Sequence, residues 1–163
     1  MNTKILGTPP SGNDDDKSSL EQSPPFDLST RLFKAEWDFS DLKQHYSDEN
    51  RERLPIGTLG LFLAIQQIEL VVDLYRFNYL GRAYPHHKTF DGIDFSAFDA
   101  FRYGISRQHA VFCQEKKQLL IIDNKSTNGT YLNRALIEPY QPYVIEHDDL
   151  IRLGAFSFVI KMD

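Results

Sequence analysis

The chain predicts an all-β fold, a sandwich or a barrel, on three observations. From Leu59 onward the apolar pattern has a period of two. Ile68, Leu70, Val72 and Leu74 alternate with Glu69, Val71, Asp73 and Tyr75, and Phe156, Phe158, Ile160 and Met162 alternate with Ser157, Val159 and Lys161. Between these stretches lie apolar runs of strand length at Ala110–Cys113, Leu119–Ile122 and Leu150–Leu153. Turn chemistry at Glu115-Lys116-Lys117, Asn128-Gly129 and His147-Asp148-Asp149 separates them, and no long amphipathic helix fits in the gaps.

Upstream the pattern changes. Residues 1–25 combine Thr8-Pro9-Pro10-Ser11-Gly12, an Asp14-Asp15-Asp16 run and Ser23-Pro24-Pro25, too little apolar surface to offset ordering entropy, and are expected to be disordered. In residues 26–54, Leu32, Phe33, Trp37, Phe39, Leu42 and Tyr46 fall at spacings loosely compatible with a short helix, with Asp41 and Asp48 as possible local caps. This segment is too short for its own core, so it is expected to pack a few aromatics on the domain that follows. Pro55-Ile56-Gly57 ends it. The division is therefore a mostly disordered acidic extension over 1–57 and a β domain over 58–163.

Charge follows the same division. The 163 residues carry a net charge of −5, of which residues 1–57, with 11 acidic and 7 basic side chains, contribute −4. Such a chain is a poor bulk binder of nucleic acid. The most apolar stretch, Leu59 to Leu74, is broken by Gln66-Gln67, Glu69 and Asp73, so no membrane span is expected, and the first residues lack a basic-then-apolar signal pattern. A single cysteine, Cys113, excludes an internal disulfide framework and fits a reducing, cytoplasmic setting.

Three segments carry polar residues that a sandwich core has no use for: Leu80-Gly81-Arg82 at a strand end, Gly104-Ile105-Ser106-Arg107-Gln108-His109-Ala110 leading into a strand, and Asp123 to Asn133 between strands. Together the Gly-Arg, Ser-x-x-His and Ser-Thr-Asn-Gly motifs, in this order, resemble the forkhead-associated (FHA) domain. Asp148-Asp149-Leu150-Ile151-Arg152-Leu153-Gly154 is similar to that family's penultimate strand, with Asp148 where a glycine is common. The resemblance covers about Leu59 to Asp163. It implies a two-sheet β-sandwich whose loops bind phosphothreonine peptides, an adaptor in kinase-dependent protein–protein signalling with no cofactor. On it, Arg82 and Ser106 take the phosphate, with Arg107 beside them and Thr127 adding a contact. Asn128 holds the peptide main chain, while Gly81, His109 and Gly129 shape the site.

The residue types suit that chemistry. A phosphothreonine brings about −1.5 to −2 charges and several acceptor oxygens, and an arginine fork pairs two of them at once. Ser106 and Thr127 add neutral hydroxyls, and Asn128 has both a donor and an acceptor for reading a backbone. Lys125 on the same loop is an accessory positive charge. The stretch between Arg82 and Ser106, 23 residues, is long for the family. The extra Tyr84–Asp91 holds His86-His87, which without partners at ligand spacing reads as a solvated loop rather than a metal site. This loop could influence peptide choice.

Rival readings remain. A hydrolase triad would have to use Ser106, His109 and an acid such as Asp123, but there is no Gly-x-Ser-x-Gly elbow, and residues three apart on a strand meet only across a bend. A phospho-independent interaction or assembly module would keep the fold without needing Arg82, Ser106 and Asn128 together. Thr3, Thr8 and Thr30 in the extension could be phosphorylated and occupy the protein's own site or a neighbour's.

Overall fold

The structure, a computed structural model, describes residues 26–36, 38–42, 56–86 and 90–162. The expectations for residues 1–25 and for Trp37, Tyr46, Asp48, His87 and Lys88 lie outside the described residues. Among those described, eleven strands occur: β1 (Gly57–Leu63), β2 (Ile68–Leu74), β3 (Phe77–Gly81), β4 (Ile93–Asp94), β5 (Gln108–Glu115), β6 (Gln118–Asp123), β7 (Thr130–Leu132), β8 (Ala135–Leu136), β9 (Pro142–Val144), β10 (Leu150–Leu153) and β11 (Phe156–Lys161). They form two sheets, in the orders β2-β1-β11-β10-β7-β8 and β4-β3-β5-β6-β9. The fold is all-β, a two-sheet sandwich. β4, β8 and β9 carry too little pattern to be read from sequence, since two are only two residues long and β9 opens on Pro142.

Strand pairing follows side-chain period and turn geometry. In β1, Leu59, Leu61 and Leu63 are buried against the second sheet and stand opposite Val72, Leu70 and Ile68 of β2. β5 and β6 are joined by Lys116-Lys117, both in left-handed conformation with φ of 47° and 66°. This two-residue connection sets the Glu115–Gln118 register, and its backbone suits the twist of a hairpin although lysine does not favour it. Asn133-Arg134 joins β7 to β8 in the same way, with φ of 47° and 72°.

The unbroken apolar runs have a specific cause: both faces of the β3-β5-β6 sheet are covered. Ala110, Phe112 and Ile121 point into the core between the sheets. Val111, Cys113, Leu120 and Ile122 point the other way, into a second cluster with Phe77 and Tyr79. Phe39 and Leu42, from the N-terminal segment, cover that second face.

The same segment closes a sheet edge. Asp27 and Asp38 cap two 3₁₀ turns, Leu28–Thr30 and Phe39–Asp41, by accepting from the Ser29 and Ser40 N–H groups. Between them Leu32 bridges Tyr143 of β9, the Phe33 N–H donates to the Pro142 carbonyl at 2.9 Å, and the Val144 N–H donates to the Arg31 carbonyl at 2.7 Å. The Arg31 guanidinium donates to both carboxylate oxygens of buried Asp149, at 2.7 and 3.3 Å, and to the Val144 carbonyl at 3.2 Å. It also lies 2.8 Å from Glu146. Asp149 accepts further from Asn133 Nδ2 and the Glu146 N–H, each at 2.7 Å. Asp148 beside it has φ of 67°, the left-handed conformation that explains a glycine's being common there, and pairs with Lys161.

Arg31→Ala is expected to lower unfolding free energy by about 2–4 kcal/mol, because it leaves a buried carboxylate short of its cation. Arg31→Lys should recover only part of this, since an ammonium cannot match the two-pronged contact. Denaturant unfolding of the full chain measures both, and an Arg31→Ala protein as stable as the parent would show that the segment is not anchored this way.

Candidate functional site

Three loops meet at one end of the sandwich, and each is shaped by a local constraint. The first leaves β3 through an irregular register between Leu80 and Gly81. A Cβ on Gly81 would stand 1.9 Å from the Arg107 carbonyl oxygen, so only glycine lets the first two loops cross. The Arg82 N–H then donates to that carbonyl at 3.2 Å. The second loop, Gly104 to Arg107, bends into β5. The third, Asn124 to Gly129, links β6 to β7.

The third loop is built around Asp123. This buried carboxylate accepts from the Ser126 N–H at 3.0 Å, the Ser126 hydroxyl at 2.6 Å and the Thr130 hydroxyl at 2.6 Å. The Ser126 hydroxyl in turn accepts from the Gly129 N–H at 3.0 Å. Asp123 and Ser126 therefore spend their polarity inside the loop and leave Thr127 and Asn128 exposed at its tip.

His109 joins the second loop to the third. Its ring is fully buried. Nδ1 accepts from the Ser106 N–H at 3.0 Å, so the ring proton sits on Nε2, which donates to the Gly129 carbonyl at 3.0 Å. Burial pushes its pKa below the ordinary histidine value, with the Gly129 carbonyl and the Asp123 carboxylate opposing that shift. Two further links cross between these loops: the Thr127 N–H donates to the Ser106 hydroxyl at 3.2 Å, and Asn128 Nδ2 donates to the Gly104 carbonyl at 2.9 Å. Gly104 has φ of 75°, and a Cβ there would meet Asn128 Nδ2 at 2.5 Å.

The two arginines are held from below and open above. Arg82 is half-buried. Its Nε donates to the Ile105 carbonyl at 2.7 Å and its guanidinium lies over the Phe101 ring at 5.0 Å. Both of its Nη groups remain without an acceptor among the described residues. Arg107 is exposed and stacks on Tyr84 at 4.2 Å. Lys125, with φ of 52°, is exposed on the third loop. Asn128, having committed one amide hydrogen to Gly104, keeps its oxygen and a second hydrogen for another molecule.

Arg82, Ser106, Thr127 and Asn128 are thus linked through hydrogen bonds of the same three loops, with Arg107 next to Ser106 in the chain. Sequence reading missed the two aromatic shelves, Phe101 and Tyr84, and the internal roles of Asp123 and Ser126. Their signal is a three-dimensional stacking or bonding partner, which no local spacing carries. The Ser106–His109 bend does exist, but it brings the imidazole to the Ser106 N–H rather than to its hydroxyl. Both ring nitrogens are occupied. His86 is exposed, and the described residues contain no cluster of His, Cys, Asp and Glu able to hold a metal. None of the described helices is long and apolar enough to cross a membrane.

Comparison with known proteins agrees with this architecture. Residues 79–154 match the family model of the FHA domain. The human E3 ubiquitin-protein ligase RNF8 is 51% identical over 51 residues, 31% of this chain and 10% of that protein. The Smad nuclear interacting protein 1 of Rattus norvegicus is 25% identical over 161 residues, 91% of this chain and 40% of that protein. The chain thus spans less than half the length of either relative. A solved structure from a structural and functional analysis of phosphothreonine-dependent FHA domain interactions superposes with a TM-score of 0.50 at 23% identity, covering 65% of this chain and 97% of that one. At that identity the likeness shows the fold.

The His109 bridge makes a pH prediction. The folded state favours the neutral ring, so its stabilisation is fully present above the unfolded value of about 6.5 and is lost as pH falls below it toward the depressed folded value. Unfolding free energy of the parent should fall as pH drops below about 6.5, and His109→Ala should show a shallower fall from a lower starting point. Parallel pH curves for the two proteins would contradict the assignment.

Proposed function

We propose that the protein is a phosphothreonine-peptide-binding adaptor in kinase-dependent protein–protein signalling, on the premise that residues 79–154, which match the FHA family model, act as an FHA domain. The observation that carries this reading is the pairing of one braced, half-buried arginine with neutral donors on interlocked loops. Arg82 offers two Nη groups to a dianion, while its Nε is already tied to Ile105. A fork held in advance loses less rotamer freedom on binding than a free one.

The other residues take roles that follow from their unused atoms. The Ser106 hydroxyl accepts from the Thr127 N–H, so its own hydrogen can be donated to a phosphate oxygen. Arg107 and Lys125 supply positive field at the rim, and Thr127 adds its hydroxyl. The free oxygen and hydrogen of Asn128 pair with the peptide main chain next to the phosphothreonine. Gly81, His109 and Gly129 act through the backbone they position. The partner is a threonine-phosphorylated protein, with neither nucleic acid nor membrane involved, and the buried lone Cys113 fits a reducing cytoplasm.

No catalytic step is proposed. An imidazole whose two nitrogens are committed to the Ser106 N–H and the Gly129 carbonyl has no basic lone pair for the Ser106 hydroxyl. Ubiquitin ligation in the name of the human relative belongs to that whole protein, of which this chain spans a tenth.

Removing the Arg82 guanidinium should weaken binding of a phosphothreonine peptide by about 3 kcal/mol, roughly a hundredfold in Kd. An oriented phosphothreonine peptide library supplies the ligand, and titration with the phosphorylated and unphosphorylated forms reads the effect. Equal binding of both forms would favour the phospho-independent assembly role instead. A folded Arg82→Ala protein that binds normally would defeat the mechanism.

A further inference from the structure

Sheet edges are where a β-sandwich can accept another chain, and the edges of this one differ. β4 and β8 are edges of two residues each. β9 is covered by the Arg31–Phe33 segment. β2 is an edge of seven residues, Ile68–Leu74, paired with β1 at every position without a bulge and free of Pro, Lys and Arg. No described strand pairs with its other side. Edges left in this state usually carry lysine, proline or a bulge, and β2 has none of these.

Its outward face is equally distinctive. Glu69, Val71 and Asp73 point away from the core, and Val71 is 71% exposed because its partner across β1 is Gly60, which has no side chain to cover it. Beside the strand a cleft of about 610 Å³ opens between β2 and β4. Leu70, Val72 and Phe98 contribute its apolar lining, and Asp94 lies on its β4 side. No basic residue lines it among the described residues.

We propose that β2, with the acids of its outer face and the cleft on its inner side, forms a second binding surface, which takes a basic, extended segment of a partner protein as an added strand. Main-chain hydrogen bonds to the β2 edge would supply the common part of the affinity. Period-two geometry sets the pattern: residues facing Glu69 and Asp73 are Lys or Arg, the one facing Val71 is apolar, and the two between them turn apolar side chains toward the cleft. A second copy of this chain does not fit. Antiparallel pairing centred on Val71 would place Glu69 opposite the partner copy's aspartate, and like charges directly opposite are destabilising. The same acids repel a phosphorylated segment, so this surface is independent of the phosphopeptide reading.

The test uses the full chain and a fluorescein-labelled peptide, Ser-Lys-Val-Val-Val-Lys-Ser. Fluorescence anisotropy should show saturable binding, with the amides of residues 68–74 gaining protection from hydrogen exchange. The double variant E69K/D73K should keep its thermal unfolding and lose about tenfold in affinity, while gaining affinity for the peptide with Glu in place of Lys. N-methylation of alternate valines should abolish binding by removing main-chain donors. Absence of binding at about 1 mM peptide overturns the proposal. Binding that is indifferent to charge reversal or to N-methylation overturns it as well. So does sedimentation showing a dimer of the parent that Val71→Lys dissociates.

Discussion

The loops of the site are separate excursions of the chain, and the buried imidazole of His109 is what joins the second to the third. One nitrogen receives the Ser106 N–H and the other donates to the Gly129 carbonyl. Only a neutral histidine in a single tautomer can serve a donor and an acceptor in this way. Three polar groups of the rim inherit their position from that bridge: the Ser106 hydroxyl, the Thr127 amide that reaches it, and Asn128 braced against Gly104. Asp123 performs the matching task inside the third loop by gathering Ser126 and Thr130. Removing either buried group would leave donors or acceptors unpaired where water cannot reach.

Electrostatics at the rim depend on what the arginines rest on. Arg82 is fixed by a carbonyl and an aromatic face, neither of which neutralises it. Arg107 rests on Tyr84. A carboxylate brace would hold the side chains as firmly but would cancel the charge that a dianion needs. By contrast, Arg31 on the β9 side is matched by Asp149 and Glu146, and there the charge is structural. A protein of net charge −5 can thus present a small positive site without contradiction, because most of its excess acid lies in residues 1–57.

The edges of the two sheets are treated unequally, and the N-terminal segment is the reason. By laying Phe39 and Leu42 on the outer face of β3-β5-β6 and bridging β9 at Leu32, it makes residues ahead of the family motif part of the folded domain. The opposite flank keeps β2 open, guarded only by acids. An edge guarded by carboxylates resists its own copy and admits a basic strand.

Much of this was legible along the chain. Alternation identified β2 and β11, apolar runs identified β5, β6 and β10, and three short motifs identified the loops that meet. Those features are local: side-chain period and turn chemistry need only a few neighbouring residues. β9 was not legible, because Pro142 argues against a strand until the Arg31–Phe33 segment is seen to pair with it. The reason for unbroken apolar runs in β5 and β6 was also hidden, since the cover on their second face comes from Phe39 and Leu42. Tertiary structure alone decided that Ser126 is spent on Asp123, that Phe101 supports Arg82, and that Arg31 reaches Asp149 across 118 positions of sequence. Contacts closed over such separations depend on how two sheets pack, and no residue's neighbours in sequence encode that geometry.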